Sequence, residues 1–167
     1  MKSWIALGLA MAIAPSPSST KGAAVTSTYT KLDLDRCRQT DEGDVPEWSS
    51  WRCRGYARIP LFVQNGDERY DVDAGRDDGQ DLFAAAFDYP GSTVEWRLSN
   101  GRPFAIIYRL SSANPDLPKS SRLIVETIGR SSAGCRIASI DGAAPDANAQ
   151  ARRAADAILT GAPHCLK

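Results

Sequence analysis

The sequence of 167 residues contains a single histidine, His164, within the last four residues of the chain. Ser-His-Asp and Cys-His enzymes hold a histidine rigidly beside their nucleophile, so a histidine in a tail argues against both classes. The sequence also has no GxSxG, HExxH, GxGxxG or P-loop motif and no CxxC pair. These absences exclude the common sequence signatures of hydrolases, dehydrogenases, NTPases and zinc modules. We therefore predict no catalytic residue, no metal ligand and no cofactor.

Long apolar runs are scarce as well. The uncharged stretch Trp4–Ala14 is 11 residues long, whereas a bilayer-spanning helix needs about 20. Lys2 precedes this stretch and small residues follow it, which is typical of a secretory signal peptide. Because Gly22-Ala23-Ala24 suits cleavage, we predict a signal peptide at residues 1–24 and one mature domain at 25–167. The expected location is the periplasm or the exterior of the cell.

Neither sign of charge dominates the chain. The sequence has 20 basic and 20 acidic residues, and the basic count falls to 18 when Lys2 and Lys21 leave with the signal peptide. A net charge near −2 argues against a general nucleic-acid binder, which needs a basic surface. We expect no nucleic-acid partner and no membrane-spanning segment. The sequence leaves the oligomeric state open.

The sequence has four cysteines: Cys37, Cys53, Cys135 and Cys165. An even number of cysteines in an exported protein indicates disulfides, for which three pairings are possible. The pairs Cys37–Cys53 and Cys135–Cys165 are favoured because each encloses one compact local unit. A zinc site is disfavoured, since His164 is the only histidine that could join the cysteines.

Polar and apolar residues alternate at 29–34, 93–98 and 104–110, which indicates half-buried strands. In the second stretch, Val94, Trp96 and Leu98 share one face and Glu95 and Arg97 share the other. Two hairpin turns are predicted at Asn65-Gly66-Asp67 and Asn100-Gly101, because these residues tolerate positive φ. Further strands are predicted at 51–58, 60–64, 68–73, 122–128 and 134–140, and a loop at 38–50.

The last predicted element is a helix that starts at Pro145-Asp146 and ends at Gly161. Its apolar stripe consists of Ala147, Ala151, Ala154, Ala155, Ile158 and Leu159. Arg152 and Asp156 are four residues apart and are expected to pair on the water-facing side. The predicted class is α+β: an antiparallel sheet of about six or seven hairpin-connected strands, a C-terminal helix packed on it, and two disulfides. The sequence leaves open whether the sheet curls into a partly open barrel.

Carboxylates are plentiful around two glycines, at Asp71, Asp73, Asp77, Asp78 and Asp81. The spacing does not fit an EF-hand loop, so a solvated turn is favoured and calcium binding by the 71–81 segment stays open. Glu95 is a candidate for one acid of a glycosidase pair, although such a reaction needs a second acid across a cleft. A surface carboxylate on a half-buried strand is the simpler expectation.

The candidate binding residues are Arg52, Arg54, Tyr56 and Arg58. They share one face if residues 51–58 form a regular strand, and three arginines beside a tyrosine can bind carboxylate, phosphate or glycan. An ordinary solvent-exposed face is the alternative, because edge arginines also oppose aggregation. Trp48 and Trp51 flank this stretch and could stack on sugar. Burial of these side chains beside a disulfide is the favoured interpretation.

Several segments in order carry a resemblance. The segments YTKLDLDRC at 29–37, WRCRGYARIPL at 51–61 and CRIASID at 135–141 resemble a group of secreted bacterial proteins with no assigned activity. The resemblance covers most of the mature chain and extends to EWRL at 95–98, RPFA at 102–105 and PDAN at 145–148. It implies export and supports the local cysteine pairing, and it implies no catalytic residue.

The sequence favours a non-enzymatic periplasmic or secreted binding module that acts at the cell envelope. An acidic envelope protein or a glycan is the expected partner, and an inhibitor of a hydrolase would be one form of such a module. Two alternatives stay open: a glycan hydrolase that uses carboxylates, and a structural accessory subunit of an envelope complex. A cleft with two facing acids would favour the enzyme, whereas an exposed arginine and aromatic patch would favour the binder.

Overall fold

The computed structural model describes residues 24–42, 48–77, 87–116, 118–161 and 163–166. The strands are β1 (Val25–Lys31), β2 (Arg38–Glu42), β3 (Trp48–Cys53), β4 (Leu61–Gly66), β5 (Arg69–Ala74), β6 (Asp88–Ser99), β7 (Arg102–Ser112), β8 (Ser121–Thr127) and β9 (Arg136–Asp141). One helix, α1 (Ala147–Asp156), continues into a 3-10 turn at Ala157–Thr160. The predicted signal peptide lies outside the described residues except for Ala24.

The strands form an open sheet in the order β2-β3-β4-β5-β6-β7-β8-β9, and β1 pairs with β6. All pairings are antiparallel apart from one parallel bridge, which joins Arg69 of β5 to Asp88 of β6. Among the described strands this bridge is the only pairing between the two halves, and the half made of β2–β5 packs over the half made of β6–β9. The α+β class with a C-terminal helix is confirmed, and the sheet is open rather than a barrel.

The half-sheet of β6–β9 has an apolar core on each of its faces. On one face Trp96, Tyr108 and Ile124 pack against Leu61 and Val63 of β4. On the other face the sheet packs against the helix, through Ala105, Ile107, Leu123 and Val125 of the strands and Ala147, Ala151 and Ala155 of α1. Successive side chains of a strand point to opposite faces of the sheet, so the strands can contribute apolar side chains to both cores.

Both predicted disulfides are confirmed. Cys37 is bonded to Cys53, and Cys135 is bonded to Cys165. The first bridge joins the beginning of β2 to the end of β3. The second ties the tail after the helix to the start of β9, where the Leu166 amide also donates to the Arg136 carbonyl at 2.8 Å.

The predicted regular strand at 51–58 is wrong, because β3 ends at Cys53. A side chain at Gly55 would clash with the Ile59 carbonyl and with the Trp96 indole, so the backbone passes close to both at this point. The chain then turns, and Ala57 and Arg58 adopt φ of 51° and 67°. Residues 56–58 consequently form a turn with two left-handed residues rather than an extended segment.

The predicted loop at 38–50 is also wrong, because it contains β2 and the beginning of β3. Strand β2 is an edge strand whose described side chains are exposed. An edge strand of this kind needs no apolar face, and polar side chains there oppose pairing with other chains. It therefore carries no hydrophobic period that a sequence analysis could detect.

The first hairpin turn lies two residues later than predicted. Asp67 and Glu68 take φ of 54° and 55°, and Gly66 pairs with Arg69. This register places Val63 directly opposite Val72 in the buried core, which outweighs the preference for Asn-Gly in the turn. The second predicted turn is confirmed, since Asn100 and Gly101 have positive φ between β6 and β7.

The helix begins at Ala147, after Asp146 in a left-handed conformation with φ of 51°. Ala154 and Ile158 are partly buried and pack against the helix-side core as the stripe predicts. Leu159 is 43% exposed, so the stripe ends before it. Within the described ranges, no helix is long and apolar enough to cross a membrane.

Candidate functional site

Four exposed arginines flank the first disulfide, and we call them the arginine surface: Arg36, Arg38, Arg52 and Arg54. Arg38 of β2 pairs directly with Arg52 of β3, so both side chains leave the same face of the hairpin. One residue further along, the Cα atoms of Cys37 and Cys53 are 4.5 Å apart. The disulfide thus brings together two Arg-Cys-Arg triplets, at 36–38 and 52–54.

The arginine surface lacks internal countercharges. None of its four side chains forms an ion pair with a carboxylate of the residues that the structure describes. Like charges directly opposite each other in an antiparallel pair destabilise a sheet, so Arg38 and Arg52 are an unfavourable pair. Phe62 supports Arg52 from below, with the guanidinium 6.0 Å from the ring centroid. Departures from local stability rules are expected at functional sites.

The structure divides the predicted set of Arg52, Arg54, Tyr56 and Arg58. Arg52 and Arg54 belong to the arginine surface, and Arg58 is exposed at the end of the turn at residues 56–58. Tyr56 is half-buried, and its ring lies 6.2 Å from the ring of Trp96. Sequence reasoning missed Arg36 and Arg38. The repeated Arg-Cys-Arg triplet was the available signal, because pairing Cys37 with Cys53 places the triplets side by side.

Two surface grooves adjoin this region. The disulfide groove has a volume of about 400 Å³ and is lined by Lys31, Asp33, Arg36, Cys37, Cys53 and Arg54. The aromatic groove has a volume of about 380 Å³ and is lined by Lys31, Leu32, Asp33, Leu34, Asp35, Tyr70, Tyr89, Pro90 and Ser92. The grooves share Lys31 and Asp33, so they are neighbours on one surface.

A row of aromatic rings crosses from β3 to β6 beside the aromatic groove. Trp51 and Tyr70 are stacked with ring centroids 6.3 Å apart, and Tyr70 and Tyr89 follow at 5.1 Å. Tyr89 is 36% exposed. Burial raises the pKa of Tyr70, and the neighbouring Tyr89 and Glu68 raise it further. The row therefore combines anchored rings with an accessible ring at its end.

A second cluster of polar side chains, three carboxylates, is buried in the interior of the protein. Asp71, Asp73 and Glu126 are 2–3% exposed, and each has a carboxylate oxygen within 4.8 Å of the others. Asp71 accepts hydrogen bonds from the Tyr108 hydroxyl at 2.9 Å and from Arg136 at 2.7 Å. Burial raises the pKa of Tyr108 well above its usual value, and the charges of Asp71 and Glu126 raise it further.

For two of its five acids, this arrangement corrects the expectation of a solvated Asp-rich turn, whereas Asp77 is exposed as expected. Asp71 and Asp73 belong to strand β5 and are buried, whereas Asp78 and Asp81 lie outside the described residues. Three close carboxylates suit a hard cation in donor type. Arg136 already supplies a positive charge to Asp71, however, and the side chains of the three acids are not accessible to a substrate.

Glu95 is not a surface acid either, because it is 7% exposed between β6 and α1. Its carboxylate accepts hydrogen bonds from Ser27 at 2.5 Å and from Arg152 at 2.7 and 3.1 Å. Arg97 holds Asp156 with two bonds of 2.9 and 2.6 Å. The predicted Arg152–Asp156 pair on the water-facing side is therefore wrong, since each residue reaches across to the sheet.

Glu95 lines a cavity of about 300 Å³ and is the only carboxylate among the described residues that do so. A glycosidase needs two carboxylates across the cleaved bond. The described geometry consequently does not supply a carboxylate pair at this cavity. Comparisons with protein-family models, with curated proteins and with solved structures found no match.

Proposed function

We propose that this chain is an exported, non-enzymatic binding module that docks an anionic partner on the arginine surface at the cell envelope. The observation that carries the proposal is the direct opposition of Arg38 and Arg52, exposed and without ion pairs to described carboxylates. The two disulfides suit an oxidising location, periplasmic or extracellular. The resemblance to secreted bacterial proteins supports the same location.

Arginine is suited to this task by its geometry. Its planar guanidinium can donate two parallel hydrogen bonds to a carboxylate or phosphate. Strands lie about 4.8 Å apart in a sheet, which brings Arg38 close to its partner Arg52. Arg36 and Arg54 line one groove beside the disulfide, so four guanidinium groups are offered in a small area. The partner is an acidic envelope protein or a glycan that presents several anionic groups at close spacing.

The positions of the carboxylates support a glycan hydrolase less well than the arginine surface supports a binding module. Asp71, Asp73 and Glu126 are buried, and Glu95 is engaged by Arg152. A general acid must come within hydrogen-bonding distance of the atom it protonates. The three buried acids are not accessible, and Glu95 lines its cavity without a second described carboxylate. The exposed arginine and aromatic patch instead fits the arrangement expected for a binding module.

Charge removal tests the proposal. We expect the variant R38S/R52S/R54S to bind a polyanion such as poly-L-glutamate or alginate at least tenfold more weakly than the unmodified chain. Each lost bond to a charged group is worth about 1.5–3 kcal/mol, and 1.4 kcal/mol corresponds to a factor of about ten. Binding should weaken between about 0.1 M and about 1 M salt, as the Debye length falls from about 10 to about 3 Å.

The matched control is R102S/K119S/R153S, which removes the same charge at exposed positions elsewhere. It should retain most of the affinity. Equal losses in the two triple variants would show that only net charge matters and would overturn the proposed surface. Thermal unfolding of each variant checks that the loss of binding does not reflect loss of fold.

A further inference from the structure

We propose that the aromatic groove is a sugar-binding subsite and that the anionic partner is therefore an acidic glycan. This inference rests on the proposed function and names the class of ligand for it. Its first support is the row of Trp51, Tyr70 and Tyr89, whose last ring is 36% exposed at the groove. A pyranose ring has an apolar C–H face that packs flat on such a ring.

The polar lining of the groove matches the edge of a sugar. Asp33 and Asp35 are exposed carboxylates on one wall, and Ser92 adds a hydroxyl. Carboxylates accept hydrogen bonds only, so they suit ligands rich in hydroxyl donors. Ligand pockets commonly combine apolar or aromatic walls with a few placed polar groups, at volumes of about 300–1,000 Å³. The aromatic groove, at about 380 Å³, falls within that range.

The connection between the two grooves explains why the glycan is acidic. Lys31 and Asp33 line both grooves, so a linear polymer lying in the aromatic groove can continue towards Arg36 and Arg54. A neutral glycan would leave these guanidinium groups without partners. An acidic peptide has no sugar face for Tyr89, and a net charge near −2 for the predicted mature chain argues against a nucleic acid. Uronate-, phosphate- or sulfate-bearing polysaccharides satisfy both grooves.

Three soluble probes separate the parts of this proposal: an alginate hexasaccharide, the neutral cellohexaose, and hexaglutamate. Calorimetry with the unmodified chain should give the highest affinity for the alginate hexasaccharide. We expect Y89A to weaken alginate binding about tenfold, since aromatic contacts contribute at this level. The same change should leave hexaglutamate binding unaltered, and Y89F should retain alginate affinity because it keeps the ring.

The control for the aromatic change is Y29A, because Tyr29 is 55% exposed and lines a different cavity. It should not change alginate affinity. A second measurement needs no variant: the C–H protons of bound alginate should shift upfield in NMR spectra because of the ring currents of Tyr89. This readout keeps the test decisive if Y89A disturbs the fold.

The outcomes distinguish the two proposals. If alginate binds no more tightly than hexaglutamate, or its C–H protons do not shift, the sugar subsite is wrong. The proposed function then still stands, provided that both probes bind and both lose affinity in R38S/R52S/R54S. If neither anionic probe binds, or if the arginine variant binds both normally, the proposed function fails and the glycan inference fails with it. Tight binding of cellohexaose would contradict the acidic character of the ligand.

Discussion

Arginine occurs in two opposite settings in this molecule. In the charge cluster formed by Glu95, Arg97, Arg152 and Asp156, each arginine donates to a carboxylate at 2.6 or 2.7 Å. On the arginine surface, Arg38 faces Arg52 and no described carboxylate pairs with either. Arginine side chains therefore hold the helix to the sheet in one region and are left available to a partner in the other.

Burial explains the difference. The side chains of Glu95 and Arg97 are 9% and 8% exposed, and a desolvated charge requires a close partner. The arginines around the first disulfide are exposed, so water satisfies them in the free protein. Changes in the buried groups should therefore affect stability first, whereas changes in the arginine surface should affect binding and hardly affect folding.

The strongest test concerns the most deeply buried ion pair among the described residues. Asp71 and Arg136 have side chains only 3% and 5% exposed and are 2.7 Å apart. We expect D71N to lower the free energy of unfolding by about 3–5 kcal/mol, because it removes one charge of a buried pair. Urea titration measures this change. The control D67N alters a side chain that is 74% exposed, and it should change stability by less than about 1 kcal/mol.

Two neighbouring arginines on the helix give an internal comparison. Arg152 donates to buried Glu95, whereas Arg153 pairs with Asp146 where both side chains are more than half exposed. R152A should destabilise by about 1–3 kcal/mol, since it leaves a buried acceptor with fewer donors. R153A should change stability by less than about 1 kcal/mol. Equal effects in urea titrations would mean that Glu95 does not depend on Arg152.

Alkaline pH offers a test of the buried hydroxyl. Burial and the acids around it raise the pKa of Tyr108 above its usual value of about 10. Below that pH both folded and unfolded chains keep this proton, so its contribution is fully present. Above it the unfolded chain loses the proton first, and stability falls by about 1.4 kcal/mol per pH unit. Urea titrations between about pH 9 and about pH 11 should show that the free energy of unfolding falls more steeply with pH in the unmodified chain than in Y108F.

Parallel pH curves for Y108F and the unmodified chain would contradict the raised pKa. At neutral pH, Y108F is expected to lower stability by about 1.5–3 kcal/mol, because the hydrogen bond to Asp71 and the one accepted from Arg136 are both lost. The effect at neutral pH is thus separable from the effect at alkaline pH.

The smallest stability effect is expected on the arginine surface. R38S removes one of two like charges that face each other across β2 and β3, so stability should stay constant or rise by about 0.2–1 kcal/mol. R102S, which changes an exposed arginine in the turn region of β6 and β7, serves as the control and should have almost no effect. A clear loss of stability in R38S would place these arginines among the structural charges.

Local patterns predicted much of the fold. Alternation identified β6 and β7 because one face of each strand packs against β4 and β5 and the other against α1. The cysteine pairs were predictable because each encloses one local unit. Strand β2 was not predictable, since an exposed edge strand carries no apolar period. The end of β3 at Cys53 was missed because it depends on the close approach of Gly55 to Trp96, a contact between segments distant in the chain.

The candidate site was predictable only in part. Arg52 and Arg54 were proposed from a strand pattern, but the position of Arg38 depends on the pairing of β2 with β3, and that of Arg36 on the neighbouring disulfide. The burial of Asp71 depends on Tyr108 and Arg136, which are 37 and 65 residues away along the chain. The grooves and the row of aromatic rings likewise arise from separate strands, and no local sequence pattern encodes their proximity.

The pairing of β1 with β6 has a consequence for the order of assembly. Val25 lies opposite Ser99 and Lys31 opposite Thr93, although β2–β5 lie between these strands in the chain. During synthesis the N-terminal segment emerges first, so β1 remains without its partner until β6 has been made. The hairpins β2–β3 and β4–β5 can close earlier through local contacts. The first strand of the sequence is therefore among the later strands to join the sheet, and a chain interrupted before residue 88 lacks the strand that holds its own beginning.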